Sequence, residues 1–124
     1  MTKIQNSKQY DLEDRTLFFA KKIRNFIKEI PKKLTNIDDC KQVIRSSGSV
    51  GANYIEANES LSKKDFLMRI KISRKEAKES IYWLKMLWTY DLNLEEKRKK
   101  LIQEGTELMK IFGSIITKSE KNKT

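Results

Sequence analysis

Histidine is absent from this sequence. That removes the commonest general base, the commonest metal ligand and every Ser-His or Cys-His nucleophile system. A lone cysteine, Cys40, cannot close an internal disulfide, which fits a reducing compartment. No apolar run approaches the roughly 20 residues of a membrane span, so no membrane association is expected. The opening Met1-Thr-Lys-Ile-Gln-Asn lacks the apolar centre of a signal peptide, and a cytoplasmic location is expected. One proline and four glycines leave little to interrupt helices, and no segment alternates as a strand would.

What is present is charge and helical periodicity. Hydrophobic residues make up 38% of the chain and charged residues 35%, a balance that suits a soluble helical bundle and argues against disorder. At 124 residues the chain reads as one domain spanning 1–124. The net charge is +10, distributed as +3 over residues 1–40, +5 over 41–90 and +2 over 91–124, so no basic tail dominates. A strong basic excess suits a polyanion partner. Lys also far outnumbers Arg and Ile and Asn are abundant, which AT-rich codon usage alone would produce.

Four helical segments follow, at about 11–30, 36–59, 63–90 and 94–117. Leu12, Thr16, Phe19, Ile23, Phe26 and Ile30 recur at three- and four-residue steps, and Pro31 stops that stripe. Thr35 with Asp38, Ser62 with Asp65 and Asn93 with Glu96 each read as an N-cap and its N3 partner. The third segment presents Phe66, Ile70, Ser73, Ala77, Ile81, Leu84 and Trp88. The fourth presents Leu101, Gly105, Leu108, Phe112 and Ile115, before a polar tail that frays from Lys118. Short loops between four helices make an all-α, antiparallel, up-and-down four-helix bundle.

The second helix is the unusual one. Its core side is read as Ile37, Cys40, Ile44, then Ser47 or Gly48, Gly51 and Ile55. Ser47, Gly48, Gly51 and Ala52 neighbour one another on a helix surface, and all are small. Gly costs about 1 kcal/mol inside a helix, so close approach by another helix is the natural compensation. A Walker-type phosphate loop would need Gly-Lys-Ser/Thr after a strand, and both are missing. Gly48-Ser-Val-Gly51 matches the GXXG of a KH domain, a fold that needs a sheet.

Beside the small residues runs a polar stripe, Gln42, Arg45, Ser49, Asn53 and Glu56. The third helix carries a second face of Ile72, Glu76, Glu79, Trp83, Met86 and Tyr90. If these faces meet, Arg45 pairs with Glu76 or Glu79 and Asn53 bonds a carboxylate, giving a structural polar network of Arg45, Asn53, Glu56, Glu76 and Glu79. Carboxylate metal sites in ferritin-like bundles use Glu-x-x-His, and Glu76-Ala-Lys-Glu79 has no His. An all-carboxylate Mg²⁺ or Mn²⁺ site would compete with Arg45 for the same oxygens, so no metal and no cofactor are expected. Lys64, Lys71, Lys78 and Lys85 fall seven apart with Lys75 beside them, nearly two turns per step, and form one basic line. Such a line is usually a solvated face; here it is the candidate phosphate-contacting surface. Lys97 to Lys100 form a second, shorter cluster.

These residues carry a resemblance. Gln42-x-x-Arg45-Ser-Ser-x-Ser49-Val-Gly51-Ala-Asn53-Tyr-x-Glu56-Ala, Ser62-Lys-x-Asp65-Phe and Lys75-Glu76-Ala-x-Glu79-Ser-x-Tyr82-Trp83-Leu84 together resemble the bacterial four-helix-bundle family encoded in 23S rRNA intervening sequences. The match is close over about residues 42–84 and holds only in pattern outside them. It implies an up-and-down bundle assembled as a ring-like homopentamer, without established enzymatic activity. Related accessory proteins of diversity-generating retroelements are basic pentamers that bind nucleic acid and a reverse transcriptase, an analogy of fold and not of site. The resulting expectation is a non-enzymatic, oligomeric bundle that binds RNA or DNA through lysine-lined surfaces. The alternative is a scaffold for protein–protein interaction whose charge reflects codon usage, and a carboxylate-metal enzyme ranks third.

Overall fold

A computed structural model describes residues 7–121, with side chains from Leu12 onward. Four helices run in chain order, α1 (Ser7–Lys28), α2 (Leu34–Asn58), α3 (Lys63–Met86) and α4 (Leu92–Lys121), with no strand among the described residues. Each packs against its neighbours in sequence and α4 returns to α1, as expected for an up-and-down four-helix bundle. The closing α1–α4 seam is much the thinnest, and the α2–α3 seam the most extensive.

The α1 stripe is buried from Leu12 to Ile30 as its spacing requires. On α2 the buried side is rotated away from the expected one. Asn36, Val43, Ser46, Ser47, Val50, Tyr54 and Ala57 face inward, while Ile37 and Ile55 are exposed. Counting apolar residues misplaces the face because three of its inward positions are small or polar side chains that find partners. On α4, Ile116 rather than Ile115 completes the buried set.

Of the three expected N-caps, one forms. The Asp65 N–H donates to Ser62 Oγ at 3.0 Å and starts α3. Thr35 does not cap α2, which begins at Leu34 after an extended Lys33 without a side-chain cap. Its start is set from further away, by burial of Asn36. The Asn36 amide donates to the carbonyls of Pro31 and Trp88, both at 2.9 Å, and its Oδ1 accepts from the Trp88 N–H at 2.7 Å. The same bonds explain why α3 stops at Met86 and not near Tyr90. With both polar groups of Trp88 taken by Asn36, the chain is extended at Leu87 and buries that side chain, leaving Trp88 half-exposed. Asp91, not Asn93, caps α4: its Oδ1 accepts from the N–H groups of Asn93 at 2.8 Å and Leu94 at 3.2 Å. α4 then continues through Lys118 to Lys121, where fraying was expected. The remaining tail and the opening Met1-Thr-Lys-Ile-Gln-Asn lie outside the described residues.

Candidate functional site

The serine- and glycine-rich stretch is continuous helix, with no residue at positive φ. Its thinness serves two neighbours. Toward α1, a Cβ placed on Gly51 would stand 2.8 Å from Thr16 Oγ1 and 3.2 Å from Thr16 Cβ, so the two backbones meet there. Toward α3, Ser73 Oγ donates to the Val50 carbonyl at 2.9 Å. Ser80 donates to the Glu76 carbonyl at 2.9 Å, and its oxygen lies 2.8 Å from the Ser46 hydroxyl, fully buried. Ser47 is buried beside them, its hydroxyl turned back on the Ile44 carbonyl. The other small residues do not share this contact. A Cβ on Gly48 would meet nothing nearer than the Arg24 guanidinium at 3.7 Å, and Ala52 is exposed.

The polar stripe of α2 meets the second face of α3. Arg45 Nη1 and Nη2 reach the two Glu76 oxygens at 3.2 and 3.4 Å, and Nη2 reaches Glu79 at 3.3 Å. Glu76 also accepts from Ser49 Oγ at 3.3 Å. The carboxylate is the buried member of the pair, its side chain 9% exposed against 51% for Arg45. Asn53 bonds no carboxylate: its amide donates to Ser49, and its Oδ1 accepts from Arg69 Nη1 at 3.1 Å. Arg69 thus extends the network where Glu56 was expected, and Glu56 and Gln42 lie exposed outside it. Among the described residues no three His, Cys, Asp or Glu side chains are placed to hold a metal ion. Burial raises the Cys40 thiol above its ordinary value, with Asp39 adding to the effect, so the protonated form is favoured.

The lysines of α3 are all solvent-facing. Lys71 lies 3.5 Å from Glu120, whereas Lys64, Lys75, Lys78 and Lys85 have no carboxylate within ion-pair distance among the described residues. The Lys97–Lys100 run differs. Lys97 pairs with Glu29 at 2.7 Å, Arg98 with Glu95 at 2.8 Å and Lys99 with Glu96 at 3.5 Å. Packing of α3 on α4 brings one cation of α3, Arg74, to three of α4. Arg74, Lys110, Lys118 and Lys121 line a cleft of about 690 Å³ over Gly113 and Ser114, with Glu120 the one acidic wall. The small residue opens it: a Cβ on Gly113 would lie 3.9 Å from Arg74 Nε. A larger concavity of about 780 Å³ follows the thin α1–α4 seam, but Lys22, Lys97, Lys99 and Lys100 share its lining with Glu29, Glu104 and Glu107.

At the end of the bundle where Asn36 sits, the α3–α4 connector carries Trp88 and Tyr90, rings in an edge-on pair with centroids 5.3 Å apart. Lys33 Nζ lies 4.5 Å from the centre of the Trp88 ring.

Comparison with known proteins finds matches among family models and among solved structures. A family model described as "23S rRNA-intervening sequence protein" matches residues 8–114. Among solved structures, a protein of unknown function from the S23 ribosomal protein family of Bacteroides thetaiotaomicron superposes with a TM-score of 0.76 at 33% identity. The match covers 89% of this chain and 98% of that one. No curated protein matches.

Proposed function

Since the chain belongs to the 23S rRNA-intervening sequence protein family, we propose for it a non-enzymatic, oligomeric bundle that holds the phosphate backbone of RNA or DNA on the α3 and α4 faces. The observation that supports this reading is the uneven neutralisation of the positive charge. The Lys97–Lys99 run is paired with carboxylates, whereas Lys64, Lys75, Lys78 and Lys85 on the helix that carries Arg74 have no ion-pair partner among the described residues, and Arg74 joins Lys110, Lys118 and Lys121 in the cleft. Unpaired, solvent-facing cations in rows are what a polyanion displaces counterions to reach. Lysines recognise backbone charge and not base identity, so affinity should vary little with sequence. Assembly into a homo-oligomer, a pentamer above all, would repeat the surface on every subunit and turn weak contacts into avidity.

The test is a triple substitution, Lys71→Gln with Lys75→Gln and Lys78→Gln. It should weaken binding to duplex or single-stranded nucleic acid while helicity by circular dichroism stays unchanged. For every phosphate that a removed lysine had neutralised, log K against log salt should flatten by about 0.7–0.9. Binding that survives the triple change with its salt slope intact would remove α3 from the interface. No binding by the native protein near physiological salt would favour the scaffold reading.

A further inference from the structure

The α3–α4 connector bears none of the lysines on which the proposed function rests, yet it holds two conspicuously open rings. Trp88 is 44% exposed and Tyr90 80%. Large aromatic rings left in water on a folded surface mark a place where something docks. A five-residue connector free to move would let such rings fold down onto the bundle. This one is fixed from beneath. Asn36 takes both backbone polar groups of Trp88, and Leu87 is buried on the other side. The rings are therefore presented by the core, and their pairing at 5.3 Å is built on a rigid base.

The charge nearest the Trp88 ring is cationic. Lys33 stands over the Trp88 ring, with Lys32 next to it in the α1–α2 turn. The lysine row of α3 ends at Lys85, three residues before Trp88. Asp91, the nearest acidic residue in the chain, is engaged in capping α4. Asp38 and Asp39 follow early in α2, while Glu29, which shares a pocket with Asp91, is paired with Lys97 and Glu95 with Arg98. Lys33 covers part of Trp88, and the exposed remainder of the two rings, Tyr90 above all, continuing into a backbone-reading row, suits unpaired bases. Every base has a π face to stack, and the neighbouring lysines hold the flanking phosphates. A duplex keeps its bases stacked on each other and offers the rings nothing.

We infer that Trp88 and Tyr90 form a stacking platform for a single-stranded stretch of nucleic acid whose backbone continues onto the lysines of α3. The inference rests on the nucleic-acid reading above and adds the form of strand it takes. Two tryptophans occur in the sequence, so Trp83→Phe leaves Trp88 as the sole indole emitter. Its fluorescence should be quenched by a short oligothymidine and not by a blunt duplex of matched length. Trp88→Ala with Tyr90→Ala should lower affinity for the oligothymidine by about 5- to 150-fold for each base that had stacked, leaving duplex affinity and the salt slope unchanged. The fold should survive, because Asn36 holds the backbone of residue 88 and not its ring. If it does not survive, quenching in the Trp83→Phe protein decides the matter. Lys71→Gln, Lys75→Gln and Lys78→Gln together should weaken both ligands. Equal affinity for the two forms, with the double aromatic change silent, overturns the platform and leaves the nucleic-acid reading standing. Absence of binding to either ligand overturns both. Dissociation of an oligomer by the double change, with strand binding intact, would assign the rings to a contact between copies of the chain and overturn the platform.

Discussion

Gly51 and Gly48 sit one turn apart on α2 and should respond oppositely to an added side chain. At Gly51 a new Cβ meets the Thr16 side chain at 2.8 Å, closer than packed atoms come, so something must shift and Gly51→Leu should destabilise by about 1–3 kcal/mol or more. At Gly48 the nearest atom is the mobile end of Arg24 at 3.7 Å, so Gly48→Ala should be neutral or stabilising by up to about 1 kcal/mol, the helix-propensity gain. Thermal melts of the two variants settle it; similar losses in both would mean that the α1–α2 contact is broader than Thr16. Arg45 and Glu76 make a second residue-scale case. Arg45→Met strands a buried carboxylate with Ser49 as its remaining partner, and should cost about 1–3 kcal/mol, since Arg45 itself is half-exposed. Arg45→Met with Glu76→Gln should cost less than the sum of the two single changes. Additive losses would show that the pair contributes nothing to stability.

At the scale of elements, what was legible in the sequence was whatever is carried by near neighbours. The α1 stripe from Leu12 to Ile30 is a matter of spacing, and the Ser62 cap reaches only three residues. The Arg45–Glu76 and Arg45–Glu79 pairs were among the partners suggested by two polar faces that had to meet. Asn36, by contrast, does its bonding across 52 residues, and Arg15 reaches Glu104 and Glu107 across 89 and 92; nothing local marks either. The inward face of α2 was misplaced for a related reason, since Ser46 is at home in the core only because Ser80 lies opposite. The α3–α4 cleft likewise exists only once two helices are laid side by side. Arg15 is the element-scale test. It clips the thin α1–α4 seam with bonds of 2.7 and 2.8 Å to Glu104 and 2.8 Å to Glu107, so Arg15→Met should lower Tm by a few degrees and speed amide exchange most in α1. Glu107 is held below the usual carboxylate range, first by the Gln103 amide and then by Arg15. A carboxylate with a depressed folded pKa stabilises above its unfolded value and ceases to as pH falls through the folded one. The Tm difference between native protein and Arg15→Met should accordingly narrow below about pH 4. A difference that stayed constant down to pH 2 would exclude the carboxylates as its source.

Over the whole molecule, the surface retains more apolar area than the bundle needs. Phe18, Ile55, Tyr82 and Met86 are all about half-exposed, and with them we expect self-association, to a mass near five times the 14.7 kDa of one chain. Light scattering at micromolar concentration measures this, and a monomeric mass would refute it. The two ends of the bundle are unlike each other. At one, Asn36 joins the α1–α2 turn to the α3–α4 connector through three hydrogen bonds. At the other, α2 passes to α3 through a few residues tied by local bonds, with Leu61 wholly exposed at the tip. For anyone splicing foreign sequence into this chain, that asymmetry is a map. A peptide tag or a fluorescent domain inserted after Leu61 has only solvent to displace, whereas the same insert after Trp88 would cut the tether that closes the opposite end.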